Sequence, residues 1–324
     1  MIDKKILKGI LFASVSMILV SIQPIIALAR DPAIDAYFFA SITCLYQAIF
    51  FLPIMLLQRR SLKKKLNTIE SGSKDYNQFF SLLNGWKTKK IIIVLIYIGF
   101  NFAITQVLFF FAYDLAGAIN GSLSQKTTIL FALLFGFLLN HERVNFKQII
   151  FSSLLIFGVI LATTQGQFNL LEINIGVILM IIVSMLWMLA HAIIKPTLKE
   201  NQLISSQIVF IRNLLNALIL ISTYIILFPT TNFSLLINPA NQFFFIFMSI
   251  NYSIDLFCWY LSLKYLDVSK ATIIIAPTPI LTAIISTILF GELFTLWHLL
   301  GTIIIVISII IIMWEKGEKQ EKNK

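Results

Sequence analysis

The chain has 324 residues, 58% of them hydrophobic and 12% charged, with a net charge of +10 and a mean hydropathy of +0.89. Soluble domains are about 45–50% apolar and about 25% charged, so a soluble core cannot absorb this much apolar surface, whereas a bilayer can. The basic residues punctuate apolar runs, which argues against a nucleic-acid partner, and the two cysteines, Cys44 and Cys258, lie inside such runs and indicate no disulfide framework.

A spanning helix needs about 20 apolar residues, and backbone in lipid must satisfy its own hydrogen bonds. The apolar runs are long and unalternated, which selects helices over barrel strands. Ten spans are expected, at roughly 8–29, 34–57, 91–113, 116–139, 146–164, 173–194, 204–227, 241–263, 269–289 and 294–314.

The first span follows Lys4, Lys5 and Lys8 and ends Ala27-Leu28-Ala29, which resembles a cleavable signal peptide. Its Val15–Leu19 stretch matches Val183–Trp187 in the sixth span, so it is expected to be retained as that span's counterpart. Gln23 lies deep in it and is a candidate cavity residue. Between the second and third spans, residues 58–90 form the one sizeable polar segment. It is expected to be a cytoplasmic linker whose charges fix topology, with anionic-lipid binding as the alternative. The third span carries Tyr97, Asn101 and Thr105 at helical spacing. The fourth carries Lys126 near mid-bilayer, with Asn120, Ser124 and Thr127 on a neighbouring face.

His191 sits near a cytoplasmic helix end and reads as interfacial. Arg212, nine residues into the seventh span, is expected to snorkel or make a structural contact, with contact to an anionic group as the alternative. In the eighth span Asn251, Asp255, Cys258, Trp259 and Ser262 fall on one helical face. Such a stripe lines a cavity or glues helices together. Pro277 and Pro279 interrupt the ninth span, and proline frees the carbonyl four residues before it.

The chain matches itself. Asn101–Thr105 aligns with Asn251–Asp255 at a shift of 150, and the same ungapped shift sets Glu142 on Glu292 and the Leu115–Gly121 loop on residues 265–271. Two repeats follow, 8–164 and 173–314, each of five spans. An odd number inverts the second relative to the first, the arrangement of transporters that open alternately to each side. With the N-terminus in the cytoplasm, 22 of the 25 Lys and Arg residues fall inside, so both termini are expected there. Glu142 then faces the cytoplasm and Glu292 the exterior. No phosphate-binding glycine loop, metal-spaced His/Cys set or nucleophile triad is present, so neither cofactor nor enzymatic activity is expected.

Each repeat ends alike: "FAYDLAGAINGSLSQKTTILFALLFGFLLNHERVNFKQIIF" in the first and "SLKYLDVSKATIIIAPTPILTAIISTILFGELFTLWHLLG" in the second. A small-residue loop leads to a polar-entry helix, a glutamate after an apolar span, and a final apolar span. In this the chain resembles EamA-type permeases of the drug/metabolite transporter superfamily. The resemblance implies a ten-helix, inverted-repeat permease with a central cavity lined from both halves. It also implies that the chain moves amino acids, other small metabolites or drugs, often outward. Glu142 and Glu292 match the family's glutamate, which is read as structural. The chain departs from a uniform pattern with Lys126-Thr127 against Ala276-Pro277, and Phe151 against Gly301.

The chain is therefore expected to be an all-α, multi-pass protein of a prokaryotic plasma membrane. Its expected activity is that of a secondary transporter or facilitator exporting a small polar metabolite such as an amino acid, with a proton as a further partner. Intramembrane charge reads as functional by default. Lys126 would hold an anionic group; Asp255 would pair with Lys126, or carry an amine or proton; the rival reading is a structural ion pair. Asn101, Asn251 and Thr105 would hydrogen-bond the solute, with Trp259, Tyr252 and Gln23 lining the cavity. An integral membrane enzyme acting on a lipid-linked substrate is the alternative. It is disfavoured because the interface offers mainly Lys and Arg without acidic partners.

Overall fold

The computed structural model describes residues 4–141, 144–169, 173–266 and 268–322, and their regular structure is helical. In chain order the helices are α1 (Lys4–Ala29), α2 (Ala36–Asn67), α3 (Lys74–Asn84), α4 (Lys89–Gln125), α5 (Thr128–Asn140) and α6 (Phe146–Thr163). After them come α7 (Ile175–Lys199), α8 (Ser205–Leu227), α9 (Pro239–Tyr265), α10 (Val268–Ile275), α11 (Thr278–Phe290) and α12 (Leu296–Lys322).

Among the described residues, seven helical stretches are long and apolar enough to cross a bilayer, or eight if the Thr230–Ile237 turn and Pro239–Trp259, bent by 91°, form one span. The departure from ten has three sources: the third and fourth spans merge, the eighth is a bent pair, and the tenth is a shorter apolar helix, Leu296–Ile312. The third and fourth expected spans run together through α4, whose one non-helical residue is Gly117 (φ 76°, ψ 173°), and α5 completes the fourth. The ninth is divided between α10 and α11 yet counts as one stretch, Ile273–Phe290. The segment at 58–90 is also more ordered than a linker. Helix α2 continues to Asn67, and α3 starts at Ser73, whose hydroxyl accepts from the Tyr76 N–H at 3.1 Å.

The sequence repeat is carried by the backbone. Helices α5 and α11 each have 13 residues and start 150 residues apart; α6 and α12 also start 150 apart, at Phe146 and Leu296. Both 13-residue helices end in a left-handed residue, His141 (φ 53°) and Gly291 (φ 66°), which turns the chain and stops the helix.

Two compact units draw on both repeats. The first comprises Met1–Arg30, Leu108–Met185 and Asn251–Lys324; the second comprises Asp31–Val107 and Leu186–Ile250. In the first unit α6 lies along α12 around a core that includes Ile119, Leu123, Leu155, Val159, Ile305 and Ile309. Helices in lipid gain little from hydrophobic burial against each other and rely on close packing at small residues. Gly158 and Gly301 provide it, for a Cβ on Gly301 would lie 2.6 Å from the Gly158 carbonyl oxygen.

In the second unit α2 and α8 run antiparallel, stapled at both ends. Tyr224 Oη donates to Asp35 Oδ2 at 2.9 Å at one end. At the other, Ser206 Oγ donates to Gln58 Oε1 at 2.7 Å and Arg59 to Gln207 Oε1 at 3.1 Å. Asp35 also caps α2 by accepting from the Phe38 N–H at 2.7 Å. Ile91, Leu95, Ile98, Phe102, Ala190, Ile194 and Ile208 fill this unit's core.

Candidate solute-binding site

Both polar stripes expected from spacing turn inward. On α9, Asn251, Cys258 and Ser262 are buried, while Ile254 and Phe257 to one side of them are exposed. On α4, Asn101 and Thr105 are buried, while Ile96, Phe100 and Ile104 are exposed. In a membrane-spanning helix this is the arrangement that keeps polar groups out of lipid.

Asp255, in the first unit, is cradled by α1. Ser16 Oγ donates to its Oδ1 at 2.5 Å and Gln23 Nε2 to its Oδ2 at 3.1 Å. Ser16 and Gln23 are seven residues apart and so share one face of α1. Spacing singled out Gln23 but not Ser16. The signal for Ser16 was its repeat match with Ser184, whose hydroxyl donates to the Gln125 carbonyl at 3.4 Å.

Lys126, also in the first unit and buried, does not pair with Asp255. Its Nζ donates to the carbonyl of Ile275 at 3.3 Å, and Thr278 Oγ1 donates to the same oxygen at 2.5 Å. The reason lies in the helix break. Ile275 is four residues before Pro279, which has no N–H to return. The carbonyl left over by proline in the second repeat is thus taken by the lysine of the first. Lys126-Thr127 and Ala276-Pro277 are the two break points, at the repeat shift of 150. Proline sits at the start of α11, where its missing donor costs least. The first break has no proline. Lys126 N–H bonds to the Leu123 carbonyl at 3.1 Å, and Thr127 Oγ1 donates to the Ser124 carbonyl at 2.7 Å.

The other expected residues divide between the two units. In the first, Asn251 is buried with its Oδ1 unpartnered, as is the hydroxyl of neighbouring Ser253; Tyr252 and Trp259 are half-buried. In the second, Asn101 donates to Tyr97 Oη at 3.4 Å and leaves its own Oδ1 unpartnered. Asn101 and Asn251 are repeat equivalents, so both halves offer a buried amide acceptor at the same position. Thr105 is more fully engaged. It donates to the Phe102 carbonyl at 3.3 Å and accepts from Trp187 Nε1 at 3.1 Å.

Glu292 is bound to main chain. It accepts from the N–H groups of Ala118 and Ile119 at 3.2 and 3.1 Å and from Ser286 Oγ at 2.5 Å. A carboxylate there satisfies donors freed at Gly117 and complements the positive end of the helix segment that follows. A Cβ at Gly117 would lie 2.6 Å from Glu292 Oε1, so this position needs glycine for space as well as for its positive φ. Glu142, the other half of the pair, lies outside the described residues. Arg30 forms an ion pair with Asp114 at 2.5 Å.

The profile of the EamA-like transporter family matches residues 7–164 and again 174–314. The chain belongs to the EamA-like transporter family. Among solved structures, one crystal structure superposes with a TM-score of 0.61 over 93% of this chain and 94% of the other, at 13% identity, a likeness of fold. No curated protein sequence matches. The family places this chain among membrane transporters of the drug/metabolite type, built from two copies of one helical unit.

Proposed function

We propose that this transporter is a secondary carrier or facilitator that exports a small polar metabolite, such as an amino acid, across a prokaryotic plasma membrane. It works by alternating access of two inverted five-span repeats, 8–164 and 173–314, with ten spans and both termini in the cytoplasm. The observation that carries the reading is Asp255, a carboxylate within an apolar helix, held by the neutral side chains of Ser16 and Gln23 of α1. A carboxylate so held offers its remaining lone pairs to an amine or a proton. Lys126 is tied to a single carbonyl and has two further donors for an anionic group. The paired acceptors of Asn101 and Asn251 supply hydrogen bonds in each half, and Tyr252 and Trp259 supply aromatic walls.

The test is flux in proteoliposomes with a panel of labelled amino acids and other metabolites, with and without a pH gradient. Asp255→Ala and Lys126→Ala should insert and run as folded protein yet lose at least about tenfold in flux. Wild-type flux in both variants rejects the assignment.

A further inference from the structure

The second unit holds a second polar cluster, at mid-depth, most of whose residues the reading above does not use. Its level follows from the staples between α2 and α8. Asp35 meets Tyr224 and Gln58 meets Ser206, so Gln47, midway between those two residues of the chain, lies level with the Asn213–Asn216 turn of α8. One turn before Gln47 on the same face, Cys44 meets Asn216 and feels the charge of Arg212. Helix α4 arrives at the same level. With its amide nitrogen as donor, Asn216 bonds the carbonyls of Arg212 at 2.8 Å and Gly99 at 2.7 Å. The Arg212 guanidinium lies 4.4 Å from the centre of the ring of Phe102, the residue that follows Asn101 in α4. Arg212 is 6% exposed, so it is packed inside the unit rather than snorkelling.

Four amide atoms of this cluster are buried without a hydrogen-bond partner among the described residues: Gln47 Nε2 and Oε1, Asn213 Nδ2 and Asn101 Oδ1. Gln47 and Asn213 are each 1% exposed and Asn101 is 7% exposed. Unmet amides in a span are costly, since lipid offers nothing in exchange. Arg212 Nε donates to Asn213 Oδ1 at 3.3 Å, which turns the unmet Nδ2 of that amide to the same neighbourhood as the guanidinium. Two amide N–H donors beside a guanidinium match the two oxygens of a carboxylate, and two amide acceptors match an N–H or O–H on the same solute.

We infer that Gln47, Arg212, Asn213 and Asn101 form a carboxylate-binding position for a solute that also carries an N–H or O–H donor. The inference rests on the transporter reading above and names the chemical class it takes.

The test is thermal unfolding of the purified full chain in detergent with L-alanine and L-lactate, against alaninamide and lactamide. The acids should raise the melting temperature and the amides should not. Gln47→Leu replaces an amide whose nitrogen and oxygen are both unmet with an apolar group of similar size, and its ligand-free melting temperature should hold or rise. Asn213→Leu also removes the acceptor of Arg212 Nε, so its ligand-free melting temperature should fall. In both variants the acid concentration for half the shift should rise at least about tenfold. Arg212→Lys keeps the charge but loses the planar fork, and should weaken the shift by less. The inference is overturned if neither acid shifts the melting temperature, if the amides act equally, or if the shift survives unchanged in both leucine variants. A leucine variant that melts lower with the shift intact assigns these amides to structure alone and also overturns it. Flux that depends on Lys126 and Asp255 without any acid-specific shift removes this position and leaves the transport reading standing. A shift without flux does the reverse.

Discussion

The break after Gln125 and the break after Ile275 occupy one position in their repeats and are made by different chemistry. At the second, Pro277 and Pro279 make the break, and proline leaves the Ile275 carbonyl without its helical donor. At the first, no residue forbids a helix; a short turn closed by the Lys126 N–H and the Thr127 hydroxyl stands in its place. The break therefore belongs to the position in the fold, and the local residues decide what it exposes. Here the second break exposes a carbonyl and the first supplies the ammonium that meets it.

The comparison can be broken hardest upstream of the first break. Gly117→Val sets a β-branched residue at φ 76° and drives its side chain into Glu292, so folded protein should be lost. Fluorescence-detected gel filtration reads this, and a wild-type monodisperse peak would show that the Gly117 turn is dispensable. Next is Lys126→Leu, which leaves the Ile275 carbonyl to Thr278 alone and should cost about 1–3 kcal/mol. Thermal unfolding measures that cost, and Pro279→Ala, by restoring an N–H four residues on, should recover about 1 kcal/mol of it. Strict additivity of the two substitutions would mean that lysine and proline are not coupled. Gly301→Ala tests the packing of α6 on α12. Its Cβ meets backbone rather than a side chain that can swing away, so about 1–3 kcal/mol should be lost. The smallest effect belongs to Thr127→Val, which removes one hydroxyl bond at the proline-free break and should cost about 1 kcal/mol, with flux retained.

Much of the plan was legible in the chain. The 150-residue self-match set Asn101 on Asn251, and Pro277 and Pro279 marked the second break; the first break and both left-handed helix stops emerged only in the folded chain. Helical spacing alone turned the Asn251 and Asn101 stripes inward. The Lys126–Asp255 pairing was expected because two isolated buried charges of opposite sign offset each other's cost. That argument weighed charges and left out main-chain acceptors, and a proline-orphaned carbonyl proved to be the partner of Lys126. Ser16 was passed over because a lone serine in an apolar span carries no spacing signal. Arg212 was given a snorkelling alternative because depth in a span does not reveal which rings and amides surround it.

Periodicity, apolar run length and self-similarity are properties of order along the chain, and they sufficed for a twice-repeated helical membrane protein with inward polar stripes. Partnership is different. Ser16 and Asp255 stand 239 residues apart, and Lys126 and Ile275 stand 149 apart. A hydrogen bond forms only between groups that packing delivers within about 3 Å, so which buried amides are met and which are left waiting was decided by the folded helices.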